Sequence, residues 1–269
     1  MTLAGLLLSL AASAAMSEIK VDLKLDAADF VVGERVRGIV DVANSSPEKI
    51  SVGYSNSKDS LFIEIFRAED HHELTKVSKG PFVARFSVDS SEGQRLETFL
   101  GDHYDLTEPR RYLAKPVLVH GGLRYEGQPR AFDVVDGVRL VGAMQMFANR
   151  RGLQREFELV YWSRGRGEHL FVKAQDAGTG SRRWATRDLG PMLRIDAPTI
   201  SILPSGEVVI FHRLNQDQFV RSAFWSLPDE LLFRTREAVR DPETAGTQSV
   251  RELYKDGVKP KENPWWKFW

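Results

Sequence analysis

The sequence predicts an all-β protein with two antiparallel β domains in tandem, and three observations support this prediction. Apolar residues recur with a period of two in many short segments, and turn residues separate these segments roughly every dozen positions. A single stretch has the periodicity of a helix. We therefore expect an antiparallel sandwich at residues 17–137, a β-meander at 138–226, a short helix at 227–243 and a flexible tail at 244–269.

Composition limits the classes of function. A chain of 269 residues is long enough for one large or two ordinary domains with a sizeable buried core. Lysine plus arginine equals aspartate plus glutamate at 37 each, so no global field favours nucleic acid as a partner. The absence of cysteine excludes disulfides, thiolate zinc sites and a cysteine nucleophile. We expect no cofactor.

Residues 1–16 have the pattern of a secretory signal. An apolar run from Leu3 to Ala12 is followed by small residues that suit cleavage near Ala14 or Ala15, although no basic residue precedes the run. The run is shorter than the roughly 20 residues that span a bilayer. We therefore expect a periplasmic or secreted protein without an integral membrane segment after cleavage. A buried N-terminal helix and a mis-assigned start codon are the alternatives.

The first domain consists of short strands. Ile19, Val21, Leu23 and Leu25 alternate with charged residues, as in a half-buried strand. A Gly121–Gly122 reversal predicts a hairpin between the last two strands. The remaining predicted strands are Phe30–Val32, Val36–Val42, Leu61–Phe66, Phe82–Val88, Leu96–Leu100, Tyr112–Val119 and Ala131–Val135.

Four segments of this domain, GERVRGIVDVANSS, LFIEIF, YDLTEPRRYLAKPVLV and AFDVV, carry a family resemblance. They resemble bacterial immunoglobulin-like domains, in particular the sandwich of the intracellular proteinase-inhibitor type. The tyrosine corner of such domains is occupied here by Tyr104, Leu106, Pro109 and Tyr112. The resemblance implies an immunoglobulin-like sandwich and, as one function, protease inhibition through an exposed loop such as Ser55–Asp59.

The second domain repeats a three-stranded theme. The first unit has strands around Phe157–Tyr161, Leu170–Val172 and Arg182–Thr186, and the second has Thr199–Leu203, Val208–Phe211 and Phe219–Trp225. Their spacing of about 40 residues is that of a propeller blade. Two units do not close a propeller, so the six strands form one sheet or are completed by oligomerisation. We expect one sheet.

The C-terminal region has two features. Ser226 and Asp229 resemble a capping box, and a helical face follows at Leu231, Leu232, Thr235, Ala238 and Val239. The tail ends in four large aromatic residues, which we interpret as candidates for binding a protein partner: Trp265, Trp266, Phe268 and Trp269. The alternative is that these residues fold back onto their own domain.

Arginines interleaved with tryptophans form a second candidate surface. Four arginines flank the turns of the second domain, and two tryptophans lie near them: Arg150, Arg151, Arg164 and Arg166, with Trp162 and Trp184. Together they could bind an anionic or sugar-containing polymer through charge and stacking. The alternative is a set of ordinary solvated turns.

No motif in the sequence indicates catalysis. The chain has no nucleophile elbow, phosphate loop or zinc-protease helix, and we interpret the Glu69–Glu73 cluster as a polar hairpin tip. We therefore expect a non-enzymatic binding or scaffold protein of the cell envelope, with a protein or an envelope polymer as partner. Proteinase inhibition and carbohydrate binding or processing are the alternatives.

Overall fold

A computed structural model describes residues 19–55, 57–147, 150, 152–177 and 183–239, with the backbone alone for residues 183 and 184. The chain divides into two compact units, Met1–Val135 (unit 1) and Asp136–Trp269 (unit 2); the predicted boundary was at residue 137. The described residues form eighteen strands and one 3-10 turn, Leu100–Asp102. The prediction of an all-β protein is confirmed.

Unit 1 contains two main sheets and a small one. Its strands are β1 (Ile19–Leu25), β2 (Asp29–Val31), β3 (Arg37–Asn44), β4 (Ile50–Val52), β5 (Ser60–Arg67), β6 (Phe86–Val88), β7 (Glu92–Phe99), β8 (Arg110–His120), β9 (Leu123–Glu126) and β10 (Arg130–Val135). The sheet orders are β1-β3-β7 and β2-β10-β8-β5, with β9 paired to β8 and β4 paired to β6. The β2–β10 pair is parallel.

The two main sheets of unit 1 share one apolar core. Inward residues at alternate positions, such as Leu23 of β1, Val40 of β3, Ile65 of β5 and Phe132 of β10, belong to one buried cluster. This arrangement is a sandwich, and the alternation explains it because successive side chains of a strand point to opposite faces.

Two tyrosines tie the corner before β8 to the rest of unit 1. The Tyr112 hydroxyl donates to the Glu108 carbonyl at 3.0 Å, and the Tyr104 hydroxyl donates to the Ile63 carbonyl at 2.5 Å. The first bond, from a tyrosine back to the backbone four residues upstream, has the geometry of a tyrosine corner. Burial raises the pKa of Tyr104 to about 12.

Unit 2 consists of two four-stranded antiparallel sheets. Its strands are β11 (Val138–Met146), β12 (Gln154–Arg164), β13 (Gly167–Ala177), β14 (Arg183–Met192), β15 (Thr199–Ile202), β16 (Glu207–Arg213), β17 (Phe219–Leu227) and β18 (Glu230–Val239). The sheet orders are β11-β12-β13-β14 and β15-β16-β17-β18. Phe157 and Leu170 of the first sheet share a core with Ile210 and Phe224 of the second. The prediction of one six-stranded sheet is therefore wrong.

The predicted helix at 227–243 is also wrong, because its described residues form β18. Pro228 and Asp229 make a two-residue turn. Ser226 is a buried residue of β17, one position before the strand ends, and is not a helix cap. The pairing of β17 with β18 shifts by one residue, because Phe224 pairs with Phe233 and Ala223 pairs with Thr235. The extra residue is a β-bulge that interrupts the alternation of side chains, so the apolar residues of β18 are spaced as they would be in a helix.

Arg155 fastens the β17–β18 turn to the first sheet of unit 2. Its guanidinium is fully buried and pairs with Asp176 at 2.8 Å. It also donates to the Ser226 hydroxyl and to the carbonyls of Leu227 and Pro228. A buried charge requires such a complete set of partners.

The predicted signal at residues 1–16 and the aromatic tail at 264–269 lie outside the described residues. Nowhere in the described part of the chain does a helix have the length and apolar character needed to cross a membrane.

Candidate binding surface

The structure brings together three of the six residues predicted to bind a polymer. Trp162 and Arg164 point to one face of β12, two positions apart, and Arg166 lies in the turn between β12 and β13. Arg150 precedes β12 at its other end, roughly 30 Å away by strand rise, and pairs with Asp229 at 2.5 Å. The side chains of Arg151 and Trp184 lie outside the described residues.

Asp188 organises the surface around Trp162 and Arg164. Its carboxylate accepts from Arg164 Nη1 at 3.0 Å and lies 2.9 Å from His169 Nδ1. The Gly190 amide donates to the other carboxylate oxygen at 2.6 Å. His169 is the cross-strand partner of Trp162, so the tryptophan stands beside this cluster. We call Trp162, Arg164, Arg166, His169 and Asp188 the hairpin surface.

An aromatic ring lies beneath the polar groups of the hairpin surface. Phe171 is fully buried, and the Arg164 guanidinium lies 4.9 Å from its ring centroid. The His169 and Phe171 rings are 6.4 Å apart. Arg164 is thus held by a carboxylate and by a cation–π contact, so little side-chain entropy remains to be lost when a ligand binds.

The arginines at this end of unit 2 are balanced by acids. Besides the Arg164–Asp188 pair, Arg194 pairs with Glu168 at 2.7 Å and Arg213 with Asp196 at 2.5 Å. Arg166 is exposed, and the described structure gives it no hydrogen bond or ion pair. Of Arg164, Arg166, Arg194 and Arg213, only Arg166 has no acidic partner among the described residues, so these four do not form a broad basic patch.

Two histidine contacts resemble parts of a catalytic site. The His169 ring hydrogen-bonds Asp188 alone within the described residues, so no hydroxyl nucleophile contacts it. In unit 1 the Ser78 hydroxyl lies 2.7 Å from His103 Nδ1. His103 stacks on Phe82 with a centroid distance of 4.3 Å, and burial lowers its pKa. A nucleophile, a base and a carboxylate that orients the base do not meet in either contact.

The other sequence candidates occupy separate places. Asp59, at the end of the proposed inhibitory loop, is fixed by the Ser51 amide and by His120, each at 2.9 Å. His71 and His72 are exposed. In the described ranges no three metal-ligating side chains come close enough together to hold an ion. The partner-binding prediction for the aromatic tail stays a prediction.

Sequence reasoning missed three members of this site: His169, Phe171 and Asp188. No motif in the sequence singles out His169, and nothing distinguishes Asp188 from the other acids. Asp188 reaches the surface because the β13–β14 register shifts between Leu170 and Phe171. A β-bulge re-aims a side chain in this way, and periodicity alone does not reveal it.

Comparison with known proteins adds little to this description. No protein-family model matches the chain, and no curated protein is significantly similar to it. Among solved structures, the Pseudomonas fluorescens alkylpurine DNA glycosylase AlkC, bound to DNA containing an abasic site analog, is similar with a TM-score of 0.32. The identity is 18% over 45% of this chain and 31% of that chain. This chain thus spans about a third of the glycosylase.

A second similar structure is Spo0M, the sporulation control protein from Bacillus subtilis. It has a TM-score of 0.32 and 14% identity over 64% of this chain and 91% of that chain. Scores this low do not support an argument about function, so the inferences below depend on the residues themselves.

Proposed function

We propose that this chain is a non-enzymatic binding or scaffold protein that contacts a protein partner through the hairpin surface of unit 2. The observation that supports this most is the way Asp188 holds Arg164 and His169 beside Trp162. Tryptophan and arginine dominate the energetics of protein interfaces, above all where they are held rigidly. Unit 1 then serves as the platform.

The charge balance favours a protein over an anionic polymer as the partner. Affinity for a polyanion comes from several uncompensated cations that displace counterions, and it falls steeply with salt. Here Arg164, Arg194 and Arg213 are paired with acids of the same chain. A carbohydrate that stacks on Trp162 is the alternative ligand, and it needs no net charge.

The cellular location is a further part of the proposal. We infer export from the signal-like pattern of residues 1–16, with the aromatic tail at 264–269 as a second contact. Mass spectrometry of the protein from cell fractions tests this. A mature form in the periplasm or medium, starting after residue 14 or 15, supports export, and an intact N-terminus in the cytoplasm contradicts it.

Charge reversal at Arg166 tests the hairpin surface without a folding cost, because the residue is exposed and unpaired. We expect Arg166→Glu in the full chain to lose the proteins that the wild type captures by crosslinking from an envelope extract. Lys79→Glu is the matched control, since Lys79 is an exposed cation of unit 1 outside the candidate contact surfaces. It should capture the same proteins as the wild type.

Two further arms separate the candidate ligands. The first is retention of the chain on a neutral polysaccharide. If Trp162→Ala abolishes this retention and Arg166→Glu loses no captured protein, the ligand is a carbohydrate and not a protein. Binding to heparin that falls steeply with salt would indicate a polyanion instead. If Arg166→Glu and Lys79→Glu capture identical proteins, the hairpin surface is not the contact.

A further inference from the structure

One edge strand of unit 2 exposes a run of apolar side chains. β11 is the outermost strand of its sheet, and within the described residues it pairs with β12 alone. β15, of the other sheet, contacts β11 without pairing with it. Nine large apolar residues of the described chain are exposed, and four of them belong to β11: Val138, Leu140, Met144 and Met146. Scattered exposed apolar residues are ordinary, but a contiguous group indicates an interaction surface.

The other edge strands of unit 2 are protected against pairing with another chain. β15 has only four residues, and β18 carries exposed charges, among them Arg236 and Glu237. β14 contains Pro191, and its pairing with β13 is interrupted twice. Short length, charge, proline and bulges are the features that keep an edge strand from recruiting a second strand.

β11 has one of these protective features, near the start of the strand. Its pairing with β12 shifts between Arg139 and Val141, so Leu140 is the extra residue of a bulge. From Val141 to Met146 the register on β12 is regular, and this stretch contains no charged residue and no proline. Its outer edge therefore presents an unbroken row of backbone groups to an incoming strand.

The charge next to this edge is balanced within the sheet. Arg139 is the charged residue of β11, and its guanidinium lies 3.3 Å from the carboxylates of both Glu156 and Glu158 on β12. Lys173 of β13 stands opposite Glu158, so two positive and two negative groups balance. An edge without net charge favours a second copy of the same strand, because no like charges are then brought together.

We propose that β11 pairs with the β11 strand of a second copy of this chain. A twofold axis makes two identical strands antiparallel, so each supplies the backbone donors and acceptors that the other needs. The pairing joins two four-stranded sheets into one, and Met144 and Met146 of both copies come together on one face of it. Methionine suits such a contact because its unbranched side chain adapts its shape. This pairing does not depend on the partner contact at the hairpin surface.

Sedimentation velocity of the full chain, from low to high micromolar concentration, tests the pairing. We expect the wild type to show an equilibrium between monomer and dimer. Met144→Lys should weaken the dimer at least about tenfold, because each dimer loses two buried methionines and gains two lysines at its centre. The variant should fold, since residue 144 is exposed and stands opposite Glu156 on β12.

Ile195→Lys is the matched control. Ile195 is also an exposed apolar residue of unit 2, but it lies in the loop between β14 and β15. The substitution should leave the dimer unchanged. Cysteines at the same two positions give an independent measurement, since the chain has no cysteine of its own. We expect a short bismaleimide to link Met144→Cys into a covalent dimer, whereas Ile195→Cys should stay monomeric on a denaturing gel.

Three results would overturn the proposal. A chain that is monomeric at every concentration leaves the edge to a strand of another protein. A dimer that Met144→Lys and Ile195→Lys affect equally shows that the copies meet elsewhere. Loss of the dimer in a chain that ends at Asn263 assigns the contact to the aromatic tail instead of a second β11.

Discussion

The two units treat their buried polar groups differently. In unit 1 the buried polar residues are few, and each makes at least one hydrogen bond: Asn44, Ser46, Thr98, His103 and His120. Most of these bonds fix a loop to a strand, as Thr98 does when it donates to the Phe82 carbonyl at 2.7 Å. Each buried polar residue of unit 1 is thus tied to the fold at least once, although His120 Nε2 makes no hydrogen bond within the described residues.

Unit 2 buries more charge and leaves part of its polar interior unpaired. Arg155, Glu207 and Arg221 are buried charges, while the His212 ring and the Ser222 hydroxyl are buried and make no hydrogen bond of good geometry with the described residues. The charged groups stabilise connections between strands, whereas burying the two unpaired groups lowers the free energy of unfolding. Within the described residues, the interior of unit 2 is therefore less completely paired than that of unit 1.

The largest loss of stability is expected from a substitution of Arg155, a buried charge of unit 2. Arg155→Met leaves Asp176 buried without its charge partner, so we expect a loss of about 3–5 kcal/mol in the free energy of unfolding of unit 2. All six tryptophans follow residue 135, so urea denaturation by tryptophan fluorescence reports on unit 2. Arg139→Met removes only exposed ion pairs and should cost less than about 1 kcal/mol. Equal effects would contradict the role of Arg155.

Acid should destabilise unit 2 through His212. The pKa of His212 is lowered to about 4, chiefly by burial; Arg236 also lowers it, and the Pro191 carbonyl and Asp188 oppose the shift in part. The unfolded chain takes up this proton near pH 6.5, whereas the folded chain does so only near pH 4. The stability contributed by neutral His212 is therefore present above pH 6.5 and is lost as the pH falls to 4, by about 3 kcal/mol.

The His212→Gln variant isolates this effect. Between pH 7 and 4.5 its urea midpoint should change less than that of the wild type, because carboxylates contribute equally to both proteins. Parallel pH dependences in the two proteins would show that His212 does not titrate in this way.

A pair of glycines gives a smaller effect. Gly190 has a φ of +95°, so Gly190→Ala introduces backbone strain and a clash with the Arg236 guanidinium, and we expect a loss of about 1–3 kcal/mol in the free energy of unfolding. Gly122 in unit 1 has a φ of +81° and no atom within 4 Å of an added Cβ. Gly122→Ala thus measures the backbone strain alone, and it should cost less than Gly190→Ala when thermal unfolding of both variants is compared.

The smallest effect is expected in unit 1. Tyr112→Phe removes a neutral hydrogen bond to the Glu108 carbonyl and should cost about 1 kcal/mol. Circular dichroism should detect this loss, while the tryptophan fluorescence midpoint of unit 2 should not change. A shift of that midpoint would show that the two units do not unfold independently.

The sequence predicted strands well where one face of the strand is buried. β1 and β5 alternate cleanly between buried and partly exposed residues, so a period of two was visible. β11 was missed because most of its residues are exposed, and β18 was mistaken for a helix because of its bulge. The short strands β4 and β9 were missed as well.

The candidate site could be predicted only in part, because some of its residues are neighbours in sequence and others meet only across strands. Trp162, Arg164 and Arg166 are neighbours in sequence, so their clustering was visible. Asp188 and His169 meet through the cross-strand register of β14 on β13. This relation leaves no periodic signal in a single sequence.

Hydrogen exchange of the full chain, alone and bound to the proteins that it captures from an envelope extract, tests most directly whether the hairpin surface of unit 2 is the contact. We predict slower amide exchange in β12, β13 and the turn between them, around Trp162, Arg166 and His169, with unit 1 unchanged. Protection centred on the strands of unit 1, or exchange that the captured proteins do not alter anywhere, would contradict this account.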